Sequence, residues 1–310
     1  MNESFSVDPG LNQPFERREF ISQALKAAGA TALLTMPGLG AFAFGGENQS
    51  YTVQDVINII LKDIPGAPFA QTVDTLKSGS GDQVVTGIVT TMFATITVIE
   101  AAIKLKANFI IAHEPTFYNH TDDPNWVQNN DMVARKQALL KQNNIAVWRF
   151  HDYWHSHNPD GIRYGVLRDA DWLGYFHQGN AVIQVPSISL KELAAHLKST
   201  LGISHVRVIG DLAQSCQRLA ILPGAAGGQA QMSLVEKEKP DVLIVGEVHE
   251  WETAEYIRDS RLSGGKTSLI VLGHSVSEEP GMNWLVEWLQ PKVSAIKVTH
   301  VASLDPFTWL

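Results

Sequence analysis

From Tyr51 onward, apolar residues fall alternately at helical spacing and in short continuous runs. YTVQDVINIILKDI places Val53, Val56, Ile57 and Ile60 on one face, with Thr52 positioned as an N-cap, which predicts a helix. VVTGIVTT is rich in β-branched residues and predicts a strand, followed by a helix over ATITVIEAAIKLK. NFIIA and IAVWRF are short apolar runs of the kind buried on both faces of a parallel sheet, and DMVARKQALLKQNN between them has helical composition. The rhythm repeats in the second half. AVIQV predicts a strand, and SLKELAAHLKSTLG opens on a capping box (Ser189, Glu192) and closes on Gly202. HVRVIG, RLAILPG, DVLIVG, SLIVLG and SAIKVTH predict further strands, with helices near 228–239, 250–260 and 280–290. Strands alternating with helices define an α/β protein with largely parallel or mixed sheets. The pattern divides into a first α/β lobe over 51–185 and a second over 186–310, whose last segments can return to the first.

The first 45 residues break this rhythm. FERREFISQALKAAGATALLTMPGLGAFA sets Arg17 and Arg18 ahead of a mild apolar stretch ending in Ala-Phe-Ala. That layout predicts a twin-arginine signal over 1–43, cleaved after Ala43, and hence export to the periplasm. The stretch contains Gly29 and Thr31 and is too short and weak for a stable membrane span.

Chemistry concentrates where the predicted strands end. NFIIA runs into His113 and Glu114; IAVWRF runs into HDYWHSH, with His151, Asp152, His155 and His157. DVLIVG runs into Glu247, His249 and Glu250, and SLIVLG into His274, Glu278 and Glu279. In open α/β sheets the loops beyond the carboxyl ends of strands form the ligand crevice, so residues distant in sequence can converge there. Imidazole and carboxylate together suit zinc, manganese, iron, nickel or cobalt. Five or six such ligands exceed the needs of one four-coordinate ion. They suit two divalent ions about 3.5–4 Å apart, bridged by a carboxylate and a water. His120, His177, His196, His205 and His300 lack such company and are expected to be structural. GAAGG (224–228) lies between a strand and a helix, where it serves as a tight turn or cradles an anion.

Composition narrows the classes. The single cysteine, Cys216, excludes an intrachain disulfide and a cysteine-based zinc site. The formal net charge of −8 argues against nucleic acid as the main partner.

The blocks GIVTTMFAT…AAIKLKANFIIAHEPTFY, VWRFHDYWHSHNPDGI, DVLIVGEVHEWE and LIVLGHSVSEEPGM together resemble the Nif-three-like family of dinuclear-metal proteins, from about Tyr51 to Pro306. The most specific is GHSVSEEPGM, with Gly-His, a Glu four residues after that His, then Pro-Gly-Met. The resemblance implies two α/β lobes, a metal site in the cleft between them, and a homo-oligomer, often a hexameric ring. It implies that His113, Glu114, His155, His274 and Glu278 are metal ligands. Two of them depart from the family pattern: Glu114 stands where a second histidine is usual, and His155 where an aspartate is usual. His157 and Asp152 are alternatives to His155. Some members carry the name of type-two GTP cyclohydrolase homologues, an activity that export disfavours because nucleotides are scarce outside the cytoplasm.

The expected function is a metal-dependent hydrolase that acts through a metal-activated water on a small molecule such as a phosphate ester or cyclic amide. His151 would orient or assist, and Glu247 or Asp152 would move protons. The competing reading is a non-catalytic metal-binding or scaffolding ring.

Overall fold

The computed structural model describes residues 50–309. The segment read as a twin-arginine signal, 1–43, lies outside the described residues. None of the described helices is long and apolar enough to cross a membrane.

Two five-stranded mixed sheets carry the fold. The first contains β1 (Leu76–Ser78), β2 (Ile88–Thr91), β3 (Phe109–Ala112), β4 (Ala146–Arg149) and β10 (Val298–His300), in the order β1-β4-β3-β2-β10. The second contains β5 (Val182–Ser189), β6 (Arg207–Ile209), β7 (Ser215–Leu222), β8 (Val242–Val245) and β9 (Ser268–Val271), in the order β5-β7-β8-β9-β6. In the first sheet β10, β2, β3 and β4 are parallel and β1 is an antiparallel edge. In the second β7, β8 and β9 are parallel, flanked by the antiparallel strands β5 and β6. Pro186 lies within β5, at an irregularity of its pairing with β7. The chain thus returns to its first sheet through β10 after completing the second.

The strands most central to these sheets are the continuous apolar runs. FIIA, AVWR, VLIV and SLIV are buried at every position, as expected for parallel strands covered on both faces. The covering helices are α1 (Val53–Leu61), α2 (Ile96–Lys104) and α3 (Asp131–Gln142), then α6 (Leu190–Thr200), α7 (Gly228–Glu238) and α8 (Glu255–Leu262). Thr52 caps α1 in a reciprocal box with Asp55, and Ser189 caps α6 in the same way with Glu192.

Three helices depart from the sequence expectation, one of them a helix over Gly161–Asp169 that it did not contain, and all matter for the site. The helix expected near 280–290 begins six residues earlier, as α9 (His274–Leu289), and runs through Pro280. Pro280 forgoes one backbone bond, and the helix packs tightly enough on its neighbour to tolerate that loss. Gly281 sits against Ile162 in α5 (Gly161–Asp169), where a Cβ would approach the Ile162 Cα to 2.6 Å, and Gly165 of α5 is equally close to the Gly281 backbone. The histidine-rich stretch after β4 is likewise helical, as the short α4 (Asp152–Ser156).

Candidate metal centre

Each candidate side chain leaves the carboxyl end of a parallel strand. β3 continues into His113 and Glu114, whose backbone N–H groups donate to Thr91 and Met92 at 3.1 and 2.9 Å. β4 continues through Phe150 into His151. α4 is then started by a buried acid, Asp74, whose two oxygens accept from the backbone N–H of His151 and of Tyr153, both at 2.8 Å. The helical turn brings His155 onto the face of His151, with ring centroids 4.8 Å apart. β9 leads into Gly273, at φ +107°, and then α9, so that His274 and Glu278 are one turn apart on one helix face.

These elements bring six donors together from both sheets. His274 Nε2 lies 3.1 Å from Glu278 Oε2 and 3.3 Å from Glu114 Oε1. His151 Nε2 lies 3.7 Å from Glu114 Oε1, and His113 Nε2 lies 3.8 Å from Glu278 Oε2. Two overlapping groups have donor atoms within 4.8 Å of one another: His113, His151 and His155; and His113, Glu114 and Glu278.

The outward nitrogens show how the rings are held. His113 Nδ1 bonds the Phe150 carbonyl at 3.0 Å, His151 Nδ1 bonds Asp152 Oδ1 at 2.9 Å, His155 Nδ1 bonds Asp160 Oδ2 at 3.1 Å and His274 Nδ1 bonds Glu247 Oε1 at 2.5 Å. All four partners are acceptors, so each Nδ1 carries a hydrogen and each Nε2 faces inward, although on His274 a second proton, shared with Glu278, must leave before Nε2 can offer its lone pair. That is the tautomer a metal-ligating histidine needs, fixed by the oxygen behind it. His113 carries the clearest signature. Its ring is fully buried and its Nε2 has no hydrogen-bond partner among the described residues. A buried, unsatisfied nitrogen among carboxylates is costly unless a cation completes it.

Charge follows the same arrangement. Burial, then the neighbouring imidazoles, hold His113 well below its ordinary pKa and keep it neutral. Burial also opposes a charge on His274, but Glu114, Glu247 and Glu278 outweigh it and push its pKa up to about 12. His155 behaves similarly: burial lowers it, and Asp160 with the more distant Glu278 and Glu114 raises it overall. Burial would raise Glu114, yet His274, His151 and Arg149 bring it below its usual range. Without a metal, the protonated His274 sits among Glu114, Glu247 and Glu278 and offsets their charge.

All five residues expected as ligands therefore lie in one cluster, joined by His151, which sequence reasoning had kept for an orienting or assisting role. Asp152 and Glu247 stand one step outside, behind histidines. Asp152 is committed at both oxygens, since its Oδ2 accepts from Thr72 Oγ1 and the Val73 N–H. His157 turns away, bonding the Pro159 carbonyl at 2.7 Å and packing against Trp154, Trp284 and Trp288. His249 also stands apart, stacked on Trp251 and bonded to Glu252. Sequence reasoning missed Asp74, Arg149 and Asp160, because an acid in a loop or an arginine at a strand end carries no sign of what it will hold. In the GAAGG turn Gly224 is at φ +67°, and a Cβ there would come within 2.1 Å of Glu278 Oε1.

An α/β protein with two mixed sheets and a convergent His/Glu cluster at their strand ends is the class defined by this geometry. The chain belongs to the Duf34/NIF3 (NGG1p interacting factor 3) family, which it matches over residues 51–306. It is 25% identical over 273 residues to a Clostridium perfringens protein named GTP cyclohydrolase 1 type 2 homolog, covering 83% of this chain and 99% of that one. A Salmonella typhimurium protein of the same name is 26% identical over 232 residues, covering 73% of this chain and 87% of its own. Among solved structures, a Staphylococcus aureus hypothetical protein superposes with TM-score 0.68 at 19% identity, covering 84% of this chain and all of that one. A Bacillus cereus protein related to NIF3 gives the same TM-score at 16% identity, with the same coverage.

Proposed function

We propose that this protein is a divalent-metal-dependent hydrolase with a dinuclear centre in the cleft where the strand ends of the two sheets meet. The observation that carries the reading is the common orientation of four imidazoles, Nδ1 anchored outward and Nε2 inward, around Glu114 and Glu278, with the buried His113 Nε2 left without a partner. Six donors would suffice to hold two ions, with Glu114 near His151 and His274 and Glu278 near His113 and His274. The nitrogen- and oxygen-only set suits zinc, manganese, iron, nickel or cobalt. Bound divalent ions would supply Lewis acidity and a nucleophilic water at neutral pH.

The chain's own residues supply the rest. Asp152, Asp160 and Glu247 hold His151, His155 and His274 in register. Glu247 is half exposed and can also pass a proton between His274 and solvent. The printed names of the curated relatives agree with a hydrolytic ring-opening activity; for this chain that activity remains a proposal, as do a ring-shaped homo-oligomer and export by the twin-arginine route.

Elemental analysis of purified protein, coupled to a panel of phosphate esters and cyclic amides with and without chelator, tests this reading. About two equivalents of metal and turnover that disappears with the metal are expected. A protein that takes up no divalent metal, or turnover indifferent to its removal, sinks the proposal. Bound metal with no turnover on any class favours the scaffolding alternative. Arg17→Lys with Arg18→Lys should trap the precursor in the cytoplasm, and normal export of that variant refutes the signal.

A further inference from the structure

A cavity of about 590 Å³ opens beside the cluster, lined at one end by Glu114, His151, His155, His274 and Glu278. The rest of its lining is largely apolar, with Ile221, Leu222, Pro223 and Ala226 among its residues. Arg163 is the one Lys or Arg that lines it among the described residues. It projects from the first turn of α5, where Asp160 Oδ1 caps the helix by accepting from the backbone N–H groups of Ile162 and Arg163 at 2.9 and 3.0 Å.

The Arg163 guanidinium is not satisfied among the described residues. Its Nε and Nη2 are buried and neither has a hydrogen-bond partner there. Asp160 is near enough to favour the charge, but its oxygens are committed to the helix start and to His155. The face of Phe176 lies 5.5 Å from Cζ, which shields the group without giving it an acceptor. Arg149, a fully buried arginine near the cluster, shows the usual outcome: Nε donates to the His113 carbonyl, Nη1 to the His120 carbonyl and Nη2 to Glu114. A guanidinium is hard to desolvate, and a partnerless one persists where an external acceptor repays that cost. Its planar fork matches the paired oxygens of phosphate or carboxylate.

We propose that Arg163 binds an oxyanionic group of the substrate, a phosphate or carboxylate, and holds the molecule in the cavity with its reacting bond at the His/Glu cluster. The word substrate rests on the hydrolase reading, whereas the anion site stands on Arg163 itself. The volume suits a small molecule, and the apolar part of the lining suits an uncharged portion of it.

Titration calorimetry of the purified full chain with inorganic phosphate and with acetate, before and after chelator treatment, tests the site in wild type, Arg163→Met and Arg163→Lys. At least one anion should bind wild type in both states, and Arg163→Met should weaken it about tenfold or more while metal content stays at the wild-type level. Arg163→Lys, which keeps a point charge without the fork, should fall between the two. Should Arg163→Met fail to fold by circular dichroism, Arg163→Lys carries the test. Unchanged anion affinity in a folded variant, or no binding of either anion to wild type, overturns the proposal. A wild type that binds anion through Arg163 but takes up no metal instead sinks the hydrolase reading and leaves the anion site standing.

Discussion

Glu114 and Arg149 form a buried ion pair, Oε2 to Nη2 at 3.4 Å, where β3 and β4 run out into the cluster. The same guanidinium holds the carbonyls of His113 and His120, so one side chain fixes both the backbone of a candidate ligand and the charge of the next. Resemblance to the family sets a histidine at position 114. A carboxylate there adds negative charge to a desolvated site, and Arg149 offsets it from behind while His151 and His274 face it from the front. Removing one partner strands the other's charge, which costs about 3 kcal/mol or more in a buried pair. Glu114→Gln and Arg149→Met should therefore each lower the unfolding free energy of chelator-treated protein, and the double variant should lose less than their sum. A double-mutant cycle by urea unfolding measures the coupling. Strict additivity would show that the pair contributes nothing beyond its separate contacts.

The second departure from the family pattern, His155, lies beside His113, with ring centroids 5.0 Å apart. The two exchanges cancel in charge, so Glu114→His and His155→Asp should each weaken metal binding and the pair should recover part of the loss. Recovery will be incomplete, because an aspartate at 155 would face Asp160, whose Oδ2 now accepts from the His155 ring. Adding Asp160→Asn should restore more. Competitive metal titrations of the four variants decide it, and losses that simply add would separate the two residues into independent sites.

The sequence made the alternation of strands and helices legible because buried parallel strands such as FIIA and VLIV are continuous apolar runs bounded by polar residues. The donors were legible because they follow those runs directly. The start of α9 was not, since Gly273 and Pro280 both read as helix breakers, although Gly273 serves as its N-cap and Pro280 is carried inside it. His151 was placed among the assisting residues because only the turn of α4 reveals that it shares a face with His155. Arg163 gave no sign at all: its distinction is the absence of a partner, which exists only after folding.

Gly224 offers a way to move Glu278 without touching a donor. A Cβ at this position would meet Glu278 Oε1 at 2.1 Å and Cδ at 2.5 Å, and the carboxylate cannot retreat without leaving His274 and His113. Gly224→Ala should therefore cut metal affinity by about tenfold or more, beyond about 1 kcal/mol of strain from an alanine at φ +67°. Gly227, at φ +83° with nothing within 4 Å of its would-be Cβ, is the matched control. Gly227→Ala should show the strain in its melting temperature and keep its metal. Equal metal loss in both variants would assign the effect to the loop backbone rather than to Glu278.

Lys136 provides a pH test away from the cluster. Its side chain is buried, its Nζ donates to the Thr116 carbonyl at 2.6 Å, and the Tyr118 ring lies 4.8 Å from that nitrogen. Burial, only partly offset by Asp122, lowers its pKa from 10.5 to about 8. The folded state therefore holds this proton less tightly than the unfolded chain. Below pH 8 both states are protonated and the folded state bears the full penalty; between about pH 8 and 10.5 the unfolded chain binds more protons, so the contribution to stability rises with pH. The shift corresponds to about 3 kcal/mol across that window. Other shifted groups act in the same range, among them Cys216, whose thiol burial pushes up to about 11, and His274, raised to about 12 by its carboxylate neighbours, so wild type alone would show a blend. The difference between wild type and Lys136→Met isolates the lysine. Losing the bond to Thr116 adds a constant offset, whereas the lysine penalty varies with pH. The variant's stability relative to wild type should accordingly be highest near pH 7 and decline by up to about 3 kcal/mol towards pH 10.5. A flat difference in urea unfolding across this range would show that Lys136 keeps its ordinary affinity for the proton in the folded protein.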